Sequence, residues 1–187
     1  MKMILASASP RRRELMKYIA EDFTASAIDC DESLPCGINP FEAAEYLANL
    51  KASEASRLYP DDIVIGCDTT VILGDNILGK PRNNEECIRY MQRLSDRTHQ
   101  IVTGCSIIYR EKVLSFSEIT NVTFRKLSED EIIRYAATEE PYDKAGGYGI
   151  QGKGSDFIFN IKGDFFNVVG LPVTRLYQEL KNFQKNI

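Results

Sequence analysis

Hydrophobic and polar positions follow strand-like and helix-like patterns in turn along this chain. Residues 3–6 and 63–67 are continuous apolar runs of strand length, a pattern typical of strands covered on both faces. Between these two runs, apolar residues from Ala43 to Leu50 recur at i, i+3, i+4 and i+7, the spacing of one helix face. The alternation predicts an α/β fold with a mixed sheet, helices on both faces and clefts near the strand ends.

The same patterns predict elements along the whole chain. The predicted strands are 3–6, 23–28, 63–67, 71–73, 77–78, 101–109, 113–124 and 157–161. The predicted helices are 9–19, 39–59, one from about residue 84, 128–137 and one that begins at Pro172. No repeat, low-complexity tract or Pro/Ser-rich linker interrupts this order, so residues 1–187 are expected to form one domain.

Composition narrows the class of protein. The chain is 43% hydrophobic and 27% charged, which is ordinary for a soluble globular enzyme, and its net charge of −4 argues against a general nucleic-acid binder. No apolar stretch approaches the ~20 residues needed to cross a bilayer. Five cysteines without C-x-x-C spacing and a single histidine give no zinc set. We therefore expect a cytoplasmic protein with reduced thiols and with neither a nucleic-acid nor a membrane partner.

Three consecutive arginines stand at the start of the first helix. Ser9 is a good N-cap and Pro10 suits the first helical position, so Arg11–Arg13 lie where the helix dipole disfavours cations. Helix N–H groups, the Ser7 and Ser9 hydroxyls and guanidinium groups together are typical of a phosphate site. Three solvated arginines on an exposed turn are the alternative, and the segment alone leaves both open.

Acidic residues follow two of the predicted strands. Asp68 comes directly after the buried run 63–67, where a carboxylate can serve as a general base or a metal ligand. The alternative is an acid that caps the next turn. Asp31 and Glu32 lie in a loop after a strand, and a solvated loop is the favoured interpretation of these two residues.

Lysines are scattered among these segments. Lys51 lies on a predicted helix, Lys80 follows the predicted hairpin and Lys144 precedes a glycine-rich block; each alone is typical of a surface lysine. Together with the arginines and acids, however, they supply what a magnesium–triphosphate substrate requires: oxygen ligands for the cation and fixed positive charges for the phosphates.

The glycine-rich block 143–154 contains two misleading patterns. It matches G-x-G-x-x-G and resembles a P-loop, but no buried strand precedes it and no helix follows, so neither motif has its required context. A tight loop lining a pocket remains, in which the Gln151 amide can contact a base edge as both donor and acceptor. His99 is expected to be a packed or capping residue rather than a general base.

With these residues laid out, the chain resembles the Maf family of nucleoside triphosphate pyrophosphatases. The resemblance covers nearly the whole length, and its blocks occur in the family's order. They are LASASPRRRELM, DES, ANLKA, GCDTTV, GKPR, LSDRTHQIVTG, EPYDKAGGYGIQG and VVGLP.

The resemblance implies a fold similar to inosine triphosphate pyrophosphatases: an elongated sheet split by a cleft, so that the single domain has two lobes. It also implies frequent dimers and metal-dependent hydrolysis of nucleoside triphosphates to monophosphate and pyrophosphate, with Mg²⁺ or Mn²⁺. The glycine-rich block resembles the dTTP/UTP branch, with modified pyrimidine nucleotides as further substrates. The rival interpretation is a nucleotide-sensing or cell-division regulatory protein that binds without turnover.

Position by position, the resemblance assigns roles to individual residues. Asp68 matches the family's proton acceptor, and Arg11, Thr69 and Gln151 match positions linked to base specificity. The residues that match other pocket positions, for phosphates or metal, are Ser7, Arg12, Glu32, Lys51 and Lys80. Glu32 and Asp68 are the expected metal ligands.

Overall fold

The computed structural model describes residues 1–187 and confirms the α/β fold class. Seven strands and six α-helices follow one another along the chain. The strands are β1 (Met3–Ala6), β2 (Thr24–Ser26), β3 (Ile63–Leu73), β4 (Asn76–Leu78), β5 (Thr98–Tyr109), β6 (Lys112–Phe124) and β7 (Ile158–Lys162). The helices are α1 (Pro10–Met16), α2 (Pro40–Leu58), α3 (Asn84–Leu94), α4 (Glu129–Ala136), α5 (Phe165–Val169) and α6 (Val173–Lys185).

The strands form a mixed sheet in the order β2-β1-β3-β5-β6-β7, with β4 paired to β3 outside this path. β1 runs parallel to both of its neighbours, β2 and β3, and the connections between these strands contain α1 and α2. β4 and β7 are antiparallel to β3 and β6. None of the helices combines the length and apolar character required to span a membrane.

The chain divides into two compact units. The first comprises Met1–Thr69, Thr103–Glu118 and Gly170–Ile187, and the second comprises Thr70–Val102 and Ile119–Val169. β3, β5 and β6 each contribute residues to both units.

In the first unit, α2 packs directly on the backbone of two strands. The buried face of α2 is mostly alanine, and Gly66 of β3 and Gly104 of β5 lie beneath it. A Cβ at Gly66 would lie 2.2 Å from the Ala48 carbonyl oxygen, and one at Gly104 would lie 2.3 Å from the Ala44 backbone. Only glycine fits at either position, and this close contact fixes where the side chains of α2 meet the sheet.

The second unit has an aromatic core. Phe124 makes edge-to-face contacts with Tyr148 and Phe157, with ring centroids 4.7 and 5.9 Å apart, an arrangement that aromatic pairs prefer. His99 is fully buried in this core, and its Nε2 lies 2.6 Å from the Tyr148 hydroxyl. The expectation of a packed histidine is confirmed.

The clearest differences from the predicted elements lie in β3, α1 and α5. β3 continues without a break from Ile63 to Leu73, where the sequence predicted two strands. The polar residues Asp68, Thr69 and Thr70 interrupt the apolar run but not the sheet. The first helix ends at Met16, three residues before its predicted end, and α5 was not predicted.

Candidate active site

Asp68 and Thr69 are consecutive residues in the middle of β3, and their side chains point to opposite faces of the sheet. Asp68 lies on the face covered by α2, the same face as Gly66, and contacts Lys51 of that helix. Thr69 lies on the other face, where it meets Arg12 of α1. Each face of this strand therefore has its own group of predicted site residues.

Lys51 joins the two acids that were predicted as metal ligands. Its Nζ lies 2.5 Å from Oδ1 of Asp68 and 3.1 Å from Oε1 of Glu32, which comes from the loop between β2 and α2. The Lys51 and Asp68 side chains are only 13% and 14% exposed, whereas Glu32 is 54% exposed. Two carboxylates thus converge on one cation at a site shielded from water on one side.

This cluster has the donor types that a hard divalent cation prefers. Glu32 and Asp68 offer carboxylate oxygens directed at a common point. No histidine, cysteine or further acidic side chain joins them as a third ligand. Mg²⁺ and Mn²⁺ suit oxygen ligands, and Mg²⁺ commonly takes one or two carboxylates with waters and phosphate oxygens in its remaining positions. The residues present fit such an ion.

Arg12 is anchored on the opposite face by hydrogen bonds from each guanidinium nitrogen. Nε donates to the Gly170 carbonyl and Nη2 to the Thr69 hydroxyl, both at 2.9 Å, and Nη1 donates to the Ser7 hydroxyl at 3.5 Å. Thr69 in turn lies 2.9 Å from the Thr103 hydroxyl. One N–H on each terminal nitrogen remains to bind an anion.

The three arginines of α1 therefore differ in their surroundings. Ser9 caps the helix as predicted and accepts the Arg12 backbone N–H at 3.4 Å. Arg12 and Arg11 are half-buried, whereas Arg13 is exposed. The guanidinium that contacts Thr69 belongs to Arg12, which the resemblance assigned to the phosphate or metal positions, whereas it grouped Thr69 with Arg11 and Gln151 as base-specificity positions.

Lys80 and Gln151 lie in the second unit, and both are exposed. The segment that carries Lys80 is held against the glycine-rich block, because the Gly146 N–H donates to the Gly79 carbonyl at 3.0 Å. A positive φ of 70° and the close approach to Val71 require glycine at Gly146.

Lys144, also in the second unit, has local partners. Its ammonium donates to Asp143 Oδ1 at 2.5 Å and to the Glu140 carbonyl at 2.7 Å, which gives it a structural role in the loop.

Sequence reasoning did not single out Thr103, Glu140 or Gly170. Thr103 lies in the block LSDRTHQIVTG and Gly170 in VVGLP, but Thr103 is buried against Thr69 and Gly170 offers only a carbonyl, so neither residue type indicated a role. Glu140 lies in a quoted block, EPYDKAGGYGIQG, but its partners are backbone N–H groups thirteen and fourteen residues away, which no spacing rule indicates.

A comparison with protein families adds the deciding observation: the family model described as "Maf-like protein" matches residues 2–183. The chain belongs to the Maf family. Curated relatives include a dTTP/UTP pyrophosphatase of Bacillus cereus, 46% identical over 186 residues that cover 100% of this chain and 97% of that protein. A Bacillus anthracis protein with the same name is 45% identical over the same shares.

Solved structures similar to this Maf chain include two Ham1 proteins. The HAM1 protein of Coxiella burnetii has a TM-score of 0.58 at 17% identity and covers 97% of this chain and 99% of its own. The Ham1 protein of Staphylococcus aureus has a TM-score of 0.51 at 19% identity, with 85% and 80% covered. At such identities the likeness shows the fold alone, and it agrees with the predicted fold class.

Proposed function

We propose that this chain is a nucleoside triphosphate pyrophosphatase that converts dTTP and UTP to the monophosphate and pyrophosphate. Membership of the Maf family and the names of its relatives support this class of reaction. The observation that carries the proposal is the contact of one lysine, Lys51, with both Asp68 and Glu32. This contact brings together the proposed base, Asp68, the Lys51 ammonium and the carboxylate oxygens that suit a metal ion.

In the proposed reaction, water attacks the α-phosphorus and the bond from that phosphorus to the bridging oxygen of the β-phosphate breaks. Asp68 accepts the proton that the water loses, and the pyrophosphate leaves with the bond's electron pair. A positioned general base of this kind contributes about 10²–10⁴-fold to a rate. β3 supplies the rigid backbone that keeps the Asp68 carboxylate in place.

Glu32 and Asp68 would hold the divalent cation, Mg²⁺ or Mn²⁺, together with oxygens of the substrate. When bound, such an ion offsets phosphate charge and polarises the phosphoryl oxygens. Lys51 adds a fixed positive charge at the same point and keeps the two carboxylates from repelling each other.

Phosphate binding is proposed for the cationic and hydroxyl groups. Arg12 is held by Gly170 and Thr69, so its unused N–H groups are oriented before substrate arrives, which lowers the entropy cost of binding. Ser7, Arg11 and Lys80 are proposed to contact other phosphate oxygens or the nucleoside. This preorganisation favours a phosphate role for Arg12 over three solvated arginines.

The pyrimidine preference is proposed for Gln151 and Thr69, with Arg11 as the third residue. Thymine and uracil present two carbonyl acceptors and one N–H, and a glutamine amide offers a matching donor and acceptor. Equal or faster hydrolysis of GTP would remove this assignment while leaving the pyrophosphatase activity in place.

A product assay tests the proposal. The purified protein is incubated with Mg²⁺ and a panel of nucleoside triphosphates, and products are separated by ion-exchange chromatography. We expect thymidine or uridine monophosphate with an equal amount of pyrophosphate. Asp68→Asn should lower kcat by at least about 10²-fold because it removes the base.

The matched control is Asp22→Asn, which removes the same charge from an exposed residue in the first unit. It should keep the wild-type rate. Nucleotide binding without product would favour the sensing protein over the enzyme, and a wild-type rate in Asp68→Asn would contradict the assignment of the base.

A further inference from the structure

The turn that carries Gln151 lies outside every helix and strand. Residues 148–152 belong to no regular element, and the Gly152 N–H bonds the Gly149 carbonyl at 3.4 Å. Gln151 is at the exposed tip of this turn. Its backbone conformation must therefore be fixed by groups outside any regular hydrogen-bond ladder.

The Glu140 side chain supplies one side of that support. Its Oε2 accepts the Lys153 N–H at 2.7 Å and its Oε1 accepts the Gly154 N–H at 3.0 Å. Both donors follow Gln151 directly in the chain, two and three residues on. A single carboxylate thus holds the C-terminal side of the turn.

Tyr135 connects the same carboxylate to the N-terminal side of the turn. Its hydroxyl donates to Glu140 Oε1 at 3.2 Å, and the Gly149 backbone lies beside it: a Cβ at Gly154 would lie 3.0 Å from that hydroxyl and 3.1 Å from both the nitrogen and the oxygen of Gly149. The buried Tyr135 ring packs edge-to-face on Phe157, which fixes the position of the hydroxyl. The Glu140 carboxylate and the Tyr135 hydroxyl therefore lie against the backbone on both sides of Gln151, at Gly149 and at Gly154.

Gly152 leaves the space that the carboxylate needs. A Cβ at Gly152 would lie 2.5 Å from both carboxylate oxygens of Glu140, and its three nearest atoms would all belong to that side chain. The φ of Gly152 is −124°, which any residue adopts, so the need for glycine here is steric, and the nearest obstacle is the Glu140 carboxylate.

The carboxylate is ionised at neutral pH. Burial by itself raises the pKa of Glu140, but hydrogen bonds from Gly154, Lys153 and Tyr135 hold that pKa below its ordinary value. Hydrogen bonds to a charged acceptor are about twice as strong as those between neutral groups. The support is thus a strong one for an otherwise irregular segment.

We propose that Glu140 is a positioning residue for base selection: it holds the turn so that Gln151 presents its amide to the base. The proposal rests on the proposed function, in which Gln151 contacts the pyrimidine. Glu140 itself makes its contacts within the loop and to Tyr135. A second charge in this loop, Lys144, donates to the Glu140 carbonyl and so holds the same residue from its backbone.

The test measures the ratio of kcat/KM for UTP to kcat/KM for CTP. Cytosine replaces one carbonyl with an amino group and the N–H with an acceptor, so this ratio reports the contact with the base. Glu140→Gln replaces one acceptor oxygen with an N–H donor, so one of the backbone N–H groups of the turn loses its hydrogen bond. We expect the ratio to fall about tenfold, which corresponds to the free energy of one hydrogen bond. The fall should lie mainly in KM for UTP.

Glu139→Gln is the matched control, since Glu139 is the exposed neighbour of Glu140 and its side chain makes no cap hydrogen bond. It should leave the ratio unchanged. A purely structural role for Glu140 would lower activity toward UTP and CTP together and would also leave the ratio unchanged, which would overturn the proposal.

Gly152→Ala gives an independent measurement that also covers the case in which Glu140→Gln does not fold, and a double-mutant cycle with Glu140→Ala tests whether the two positions act together. Gly152→Ala should lower the UTP/CTP ratio by displacing the carboxylate, and it should have no further effect in a Glu140→Ala background. Tyr135→Phe should lower the ratio by a smaller factor. Additive effects of Gly152→Ala and Glu140→Ala, or an unchanged ratio in Gly152→Ala, would contradict the proposal.

The outcomes separate this inference from the proposed function. If the wild-type protein does not prefer UTP to CTP, the assignment of pyrimidine specificity fails first. If the wild-type protein shows the preference and the folded Glu140 and Gly152 variants keep it, the turn presents Gln151 correctly without Glu140. In that case only the positioning role of Glu140 is contradicted.

Discussion

Lys51 stands between two carboxylates at a largely buried point, and its charge is needed there for two reasons. It balances Asp68, which is only 14% exposed, and it separates Asp68 from Glu32. An isolated lysine on an amphipathic helix is ordinary, and its sequence position indicates no such role. The contact with β3 is what distinguishes it from the other lysines.

Replacing this lysine tests its role at the residue scale. Lys51→Met should lower the free energy of unfolding by about 1–3 kcal/mol, because Asp68 and Glu32 lose their shared cation. Urea denaturation at pH 7 measures the change. Lys17→Met is the control, since Lys17 pairs with Glu14 on the surface with side chains 58% and 68% exposed; such a pair contributes about 0–1 kcal/mol. Equal effects of the two substitutions would contradict the role given to Lys51.

At the scale of elements, the position of α2 decides where Lys51 meets Asp68. The helix can approach β3 this closely because its buried face is alanine and because Gly66 offers no side chain. Helix and strand are therefore joined by backbone contact rather than by interlocking side chains. A change of one methyl group at this contact must move the whole helix.

Gly66→Ala tests this joint. The new Cβ would lie 2.2 Å from the Ala48 carbonyl oxygen and 2.7 Å from the Ala52 nitrogen, and backbone atoms cannot rotate away. We expect the free energy of unfolding to fall by about 3 kcal/mol and activity to fall with it, as Lys51 is displaced. Gly79→Ala is the control, because nothing lies within 4 Å of its Cβ position. Denaturation curves should show a lower free energy of unfolding for Gly66→Ala than for Gly79→Ala. A stable, active Gly66→Ala variant would contradict the argument that the contact between α2 and β3 has no room for a Cβ.

Elements with a strong period could be predicted from sequence, and elements held by distant partners could not. The apolar spacing between Ala43 and Leu50 predicted α2, and the Ser128 capping box predicted α4, which the structure confirms. The sequence did not predict the middle of β3 as strand because Asp68 and Thr69 are polar. Their side chains find hydrogen-bond partners in Lys51 and Arg12, which are remote in sequence. The loop around Glu140 has no period at all.

At the scale of the whole molecule, residue patterns alone left each site segment with two interpretations. The Maf resemblance joined them, because it gave the segments a common substrate. The structure then brought Glu32, Lys51 and Asp68 together and placed Arg12 on Thr69. The identity of the arginine on Thr69 could not be predicted, since Arg11 and Arg12 are equivalent until the direction of α1 is known.

Stability of the whole chain should depend on pH through its one histidine. Burial lowers the pKa of His99 to about 4 from an ordinary value of 6.5. The unfolded chain therefore takes up a proton as pH falls through 6.5, while the folded chain stays neutral until about pH 4. The free energy of unfolding should decrease across this window, by about 2 kcal/mol between pH 6.5 and pH 5.

His99→Gln removes that dependence and keeps a group that can bond the Tyr148 hydroxyl. Its free energy of unfolding should therefore change less than that of the wild type between pH 6.5 and pH 5, as urea titrations at several pH values would show. Nuclear magnetic resonance offers a direct measurement, since the single imidazole signal of the folded protein should not titrate above pH 5. A titration near pH 6.5 would contradict the burial argument.

The alternation of side chains along β3 has a consequence for how this protein can change. The Asp68 and Thr69 side chains lie on opposite faces of the sheet. A shift of the strand register by two residues keeps each side chain on its own face, whereas a shift by one residue exchanges the faces. A one-residue insertion or deletion between Ile63 and Asp68 would turn the carboxylate toward Arg12 and the threonine toward Lys51. The chain can vary in length within its loops, but a one-residue insertion or deletion in this part of β3 would separate the site residues from their partners.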